Sequence, residues 1–414
     1  MLLLFFYLFL VRILIAIHNS SFYTKVGSIA FDLGGKMKIG YFCNSTNWKN
    51  KKSYNQILKE VREIATYCDQ NDWNSIWFSE HHFSHEGMEI CPNPLMLSSD
   101  IAARTKNIRI GQAASVITFW NPIRVAEDIA LLDQLSDGRV EAGIARGIYG
   151  REALNMNPDA DMKDQAKNFR LFEETLTIIK KAWTEKYFNH SGEFYTYPSP
   201  NFEWSHDMSP PSSEFMNTDT KILEKISIVP QPVQKPHPPL WQMVDSPSSI
   251  EWAAKNGINT MMWIPTVKSL KNRFKIYQEA KSTAEKKHVE MGEGISLVRD
   301  MFIADTMEEA KEKAGEAMVR YMSWVCHWRG LGTHMNPGEE LPKTEGKLDL
   351  LNYDFLHKRN MLFGTADYVI EKIEELKSEL NLQNLQVWSN FPGVKHDDCM
   401  KSIKLFTEKV MPHF

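Results

Sequence analysis

The sequence predicts an α/β chain closed into a (β/α)8 TIM barrel with loop insertions. Three observations carry that expectation. From Met37 onward, short apolar runs rich in β-branched and aromatic residues alternate with longer amphipathic segments. The alternation repeats eight times, the count that closes a parallel sheet on itself. No GxGxxG follows the first strand, which counts against an open dinucleotide-binding sheet.

In chain order, strands are expected over 38–42, 75–79, 108–116, 140–145, 240–244, 260–264, 296–303 and 385–389. Runs such as Ile76-Trp77-Phe78 suit a pleated, packed surface. Helices are expected over 54–70, 95–105, 123–135, 163–184, 248–255, 270–291, 307–324 and 366–380. In VAEDIALLDQL the apolar residues recur at spacings of three and four, the mark of a helix that buries one face. Asp137-Gly138 makes a turn into the next strand. Two segments break the repeat. Residues 189–238 are rich in Pro, Ser and aromatics, and residues 328–361 carry Gly, Pro and charges. Both are long for plain connections and read as binding loops or lids.

The bulk numbers narrow the function classes. Of 414 residues, 43% are hydrophobic and 24% charged, which is enough apolar material for a large packed core. A net charge of -4 on so long a chain gives no reason to expect nucleic acid or an anionic membrane as partner. The five cysteines are scattered, odd in number and form no CxxC pair. That fits a reducing, cytoplasmic setting and argues against a disulfide framework or a thiolate zinc site. The opening MLLLFFYLFLVRILIAI does not match the rest. It has no basic n-region and carries Arg12 within it, so residues 1–36 read as an apolar extension outside the fold, with 37–414 as a single barrel domain.

A barrel gathers its chemistry at the carboxyl ends of its strands. Glu80-His81-His82 follows the second strand, GQAASV the third, ARGIYGRE the fourth and DSPSS the fifth. Zinc on a helix wants histidines four apart, and adjacent histidines on a strand face opposite sides, so no metal site is expected here. Two roles stay open for the pair: capping a backbone group, or acid/base work by one ring set by Glu80 or a neighbour. Arg146 offers a planar fork for phosphate beside Gly147, or a plain rim salt bridge. Ser246 suits an N-cap and Pro247 the first helical position; the free N–H groups there, with Ser248 or Ser249, suit a phosphate. The small run Gln112-Ala113-Ala114-Ser115 stands where strands prefer bulk, from tight packing or from a flat ligand on the backbone.

Taken together, MKIGYF, WFSEHHF, AEDIALLDQLSDGR, ARGIYGRE, DSPSSIEWAA and the closing MKSIKLFTEKVMP resemble the flavin-dependent luciferase-like monooxygenases, the bacterial luciferase α chain above all. The resemblance runs from Met37 to the end and implies the same barrel. It also implies His81 as catalytic histidine with His82 beside it, and a non-proline cis peptide at Ala113-Ala114 under the flavin ring. Arg146, Ser246 and Ser249 are implied as phosphate ligands, with Asp245 where luciferase has Glu. The implied reactants are reduced FMN from a separate flavin reductase, O2, and an aldehyde or other carbonyl compound. The family's assembly is a homodimer or heterodimer through the second and third helices. A deazaflavin-dependent oxidoreductase and a non-catalytic flavin-binding relative are the alternatives. The sequence departs from the luciferase pattern at Ala145, where luciferase has a reactive cysteine, and at Phe169, where it has a second phosphate arginine that Arg170 or Lys167 could replace. Tyr321 falls near the substrate-side tryptophan.

Overall fold

The structure, a computed structural model, describes residues 36–204, 206, 208, 211–340 and 350–414. Apart from Lys36, the expected apolar extension lies outside the described residues. Eight parallel strands close a barrel: β1 (Lys38–Cys43), β2 (Ser75–Phe78), β3 (Arg109–Gln112, resumed at Ser115–Val116), β4 (Val140–Ala145), β5 (Leu240–Met243), β6 (Asn259–Met262), β7 (Ile295–Ile303) and β8 (Asn384–Trp388). β1 pairs with β2 on one side and with β8 on the other, so the sheet has no open edge among these eight. All eight coincide with expected strands to within a residue or two, except that β3 breaks at Ala113-Ala114, whose peptide bond is cis.

Alternation along the strands builds two layers. Ile76 and Phe78 of β2 face outward against the helices, and Trp77 points into the barrel. The interior is crowded enough to exclude side chains at some positions. A Cβ on Gly111 would lie 2.1 Å from Trp77, and one on Gly143 would lie 1.6 Å from the Gln112 carbonyl oxygen. The polar atoms on the barrel floor satisfy one another. Trp77 Nε1 donates to Ser75 Oγ at 2.9 Å, Ser75 donates to Gln386 at 3.2 Å, and Trp241 Nε1 donates to Glu141 at 2.6 Å.

The expected helices appear, with shifted ends and additions. Helix Tyr54–Gln70 matches the expected bounds, and the 307–324 expectation becomes Met307–Ala310, a π turn and Glu316–Arg329. Helices Gly150–Met156, Tyr353–Asn360 and His396–Lys409 and strand Met361–Gly364 were not expected; the first two and the strand are too short to show a period. The insert at 189–238 differs from its expectation as a lid, because none of its described residues lines the main cavity. It clads the outside of the barrel instead. The Glu174 carboxylate collects the backbone N–H groups of Glu193, Phe194 and Tyr195, and Asp133 takes two hydrogen bonds from Gln234. A Pro- and aromatic-rich stretch looks the same in sequence whether it covers a site or a helix. Among the described residues, no helix is long and apolar enough to cross a membrane.

The close packing at Gly143 sets a test of the barrel. Gly143→Ala forces a methyl group against the Gln112 carbonyl and should destabilise the fold by about 3 kcal/mol. Gly150→Ala, whose Cβ would meet nothing within 4 Å, should leave stability within about 0.5 kcal/mol. Urea unfolding of the two variants checks the contrast.

Candidate active site

The main cavity opens where the carboxyl ends of β2, β3, β4 and β5 converge, and helix Glu316–Arg329 closes one side. It brings together His81, Ala113, Ala114, Arg146, Asp245, Ser246 and Ser249. Of the site residues implied by the family resemblance, His82 alone is absent from its lining, and Ser248, the alternative to Ser249, is absent as well.

The two histidines separate because β2 ends at Phe78. The chain then leaves the pleat: His81 N donates to the Cys91 carbonyl at 2.9 Å, and His82 N donates to Glu152 Oε1 at 2.8 Å. The His82 ring turns away to pair with Glu80 at 3.0 Å. Glu80 is buried and serves as a hub. Its other contacts come from Val116 N at 2.8 Å and Trp120 Nε1 at 2.8 Å, so a single carboxylate ties the loop after β2 to the end of β3 and the segment that follows it. Glu80 therefore holds His82, not His81.

His81 stays in the cavity wall, with its ring 5.4 Å from Tyr149. Its Nδ1 lies 3.3 Å from Glu152 Oε1 and 3.4 Å from Glu89 Oε2. Nε2 has no hydrogen-bond partner among the described residues. Burial lowers the imidazole's proton affinity, but the charge of Glu89 and the hydrogen bond and charge of Glu152 outweigh it, and the pKa is pushed up to about 9. At neutral pH the ring is an imidazolium flanked by two carboxylates. Neither acid was singled out from sequence. Glu152 sits inside the quoted ARGIYGRE motif, whereas Glu89 carries no sequence signal.

Another part of the cavity wall suits an anion. The Arg146 guanidinium has no carboxylate within salt-bridge distance among the described residues. It lies 5.4 Å over the Phe169 ring, which in turn packs against Trp252 of helix Pro247–Lys255. Gly147, at φ +85°, turns the chain just after it. Ser246 caps that helix, accepting from Ser249 N at 3.3 Å and lying 2.9 Å from Ser249 Oγ. An unpaired guanidinium, two hydroxyls and a helix N-terminus thus line one cavity, a donor set that fits a phosphate group. Ala113 and Ala114 add small side chains to the same wall. The Asp245 carboxylate is not free, since Arg329 pairs with it. Arg170 and Lys167 do not stand in at Phe169; they pair at the surface with Glu193 and Asp159.

Residues 37–381 match the sequence family described as luciferase-like monooxygenase. A flavin-dependent trigonelline monooxygenase, oxygenase component, of Acinetobacter baylyi is 27% identical over 91% of this chain and 96% of its own length. An alkanal monooxygenase beta chain of Vibrio harveyi is 30% identical over 54% of this chain and 58% of its own. Among solved structures, the oxygenating constituent of 3,6-diketocamphane monooxygenase from Pseudomonas putida, in complex with FMN, gives a TM-score of 0.74 at 22% identity. It covers 91% of this chain and 98% of its own, and the likeness is one of fold.

The raised histidine pKa has a consequence for stability. An unfolded imidazole titrates near 6.5 and the folded one at about 9. The acid–histidine contacts therefore stabilise fully below about pH 6.5, and the contribution is lost as pH rises through 9. The stability difference between wild type and His81→Gln should shrink by on the order of 2–3 kcal/mol between pH 6.5 and 9.5 in urea titrations. A difference independent of pH would show that the two carboxylates do not hold the ring's charge.

Proposed function

The chain belongs to the luciferase-like monooxygenase family, and on that footing we propose that it is the oxygenase of a two-component system that uses reduced FMN and O2. A separate flavin reductase supplies the reduced FMN, and the substrate is an aldehyde or other carbonyl compound. The observation that carries the reading is the shared cavity. Arg146, without an acid partner, and the serine-capped start of helix Pro247–Lys255 line it together with an acid-held histidine.

When bound, the flavin supplies the redox chemistry and the activation of O2. The protein's own groups orient, protonate and exclude water. Arg146, Ser246 and Ser249 hold the phosphate, and the small side chains of Ala113 and Ala114 let the ring lie on the backbone. His81 presents a proton at Nε2, retained up to about pH 9, to oxygen atoms of the reacting partners. Phe42, Trp263 and Tyr321 form the apolar wall on the substrate side and keep water from it. His82 lies outside the cavity lining, where its pairing with Glu80 braces the chain after β2 against Val116 and Trp120.

Two further readings accompany the function. Met96 on helix Pro94–Ala102, and Leu131 and Leu135 on helix Pro122–Leu135, are exposed, which supports a dimer through the second and third helices. The five cysteines are all buried and free, in keeping with a cytoplasmic protein.

Fluorescence titration tests the cofactor. Arg146→Ala should weaken FMN binding about tenfold or more and leave riboflavin binding within about threefold, because only FMN carries the phosphate. Tighter binding of a reduced deazaflavin than of reduced FMN would instead make the chain a deazaflavin enzyme. His81→Ala should lower turnover of a carbonyl substrate by about 10²–10⁴-fold while sparing FMN affinity. Product formation at the wild-type rate would remove His81 from the chemistry.

A further inference from the structure

The second acid on His81 is unlike the first. Glu152 Oε1 is shared, since it also accepts the His82 backbone N–H at 2.8 Å. Glu89 Oε2 is buried and accepts no hydrogen bond within 3.5 Å; the cation paired with it is His81 Nδ1 at 3.4 Å, with the Tyr149 hydroxyl and the Arg329 charge acting on the same carboxylate. A buried carboxylate oxygen without a donor is costly unless a cation compensates it. The other oxygen, Oε1, is firmly held. Tyr321 donates to it at 2.7 Å, and Asn44 reaches it at 3.5 Å. Asn44 also donates to the Tyr321 hydroxyl at 2.9 Å and accepts from Ser79 Oγ at 2.7 Å. A buried relay thus runs from the end of β2, through Asn44 and Tyr321, to Glu89 and the histidine.

Tyr321 belongs to helix Glu316–Arg329, and Tyr321, Val325 and Arg329 line the cavity at spacings of four, along one face. We propose that Glu89 is a positioning residue for His81 and that Tyr321 sets its grip, so that the charge on the histidine depends on the seating of this helix over the site. The proposal rests on the reading of His81 as the acid/base group, and it adds what fixes that group's charge. The titratable and charged groups around the ring are Glu80, Glu89, Glu152 and Tyr149, with Tyr321 and Arg329 acting on Glu89 from the cover helix. Glu80 is occupied by His82, Val116 and Trp120, and Arg329 by Asp245, which leaves Glu89 and Glu152 to hold the proton.

The test is the titration of His81 by ¹H–¹⁵N NMR on the full chain, with its signal assigned by loss in His81→Gln. Glu89→Gln should lower the His81 pKa by about one unit or more. Tyr321→Phe, which keeps the acid and removes its anchor, should lower it by less and in the same direction. The alkaline limb of the pH profile of kcat/KM should move down with it in both variants. A His81 titration within about 0.3 unit of wild type in Glu89→Gln overturns the proposal, even if activity falls, because a merely structural loss would not move the titration. Should Glu89→Gln fail to fold, Tyr321→Phe decides alone, and an unmoved titration there overturns it. A wild-type protein that oxygenates nothing with reduced FMN refutes the function proposed above, yet leaves the titration to be read by itself.

Discussion

Closure of the barrel is the constraint on which the rest of the structure depends. β1 is hydrogen-bonded to β2 and to β8, whose register partners lie more than three hundred residues away in sequence. Parallel pairing all the way round sends every carboxyl end to one rim. Residues from four loops and a distant helix therefore meet in one cavity, though no two of the loops are adjacent in sequence. The interior must also fill without voids or clashes. The bulk of Trp77 is matched by Gly111 on the neighbouring strand, Gly143 leaves room for the Gln112 carbonyl, and the floor polars Ser75, Trp77, Gln386, Glu141 and Trp241 bond one another.

On that rim the charges divide into two regions. The anion niche has an unpaired arginine beside a capped helix start, so it gains from a dianionic phosphate. The histidine end has carboxylates in excess, so it keeps a proton that a free imidazole would lose above pH 7. Two carboxylates close to one ring would repel each other if that ring were neutral, and the imidazolium removes the conflict. The same logic explains Glu80: a buried acid tolerated because His82, a backbone N–H and an indole N–H all point at it.

The departures from the luciferase pattern fall mostly around the phosphate niche, and the structure gives them physical content. At 169 a phenyl ring replaces an arginine and becomes the surface on which Arg146 lies. The charge that this exchange removes is not restored by Arg170 or Lys167, which face solvent with their own acids. Arg329 enters the cavity from the late helix but arrives already paired with Asp245. Of the two arginines among the described residues that line the cavity, Arg146 is the one without an acid partner, which is why it carries the test of phosphate recognition.

Much of the fold was legible in the sequence, since period-2 and period-3.6 patterns survive in any buried strand or one-sided helix. The eight strands, the turn at Asp137-Gly138 and the cap at Ser246 all follow from local chemistry. So do the placement of His81, Arg146 and the serines after strands, because a barrel assigns that position to function. Tertiary structure decided the rest. It chose which of two adjacent histidines enters the cavity, because that depends on where β2 stops and on which acid reaches which ring. It supplied Glu89 from a loop and Tyr321 from a helix 232 residues away, a pairing no spacing rule encodes. It also placed the described residues of the long 189–238 insert outside the cavity lining, since cladding and covering draw on the same residue types. Sequence determined which elements form and which end of the barrel bears the chemistry. Only the packed chain determined which side chains face each other there, because that depends on distances between residues that are neighbours in space alone.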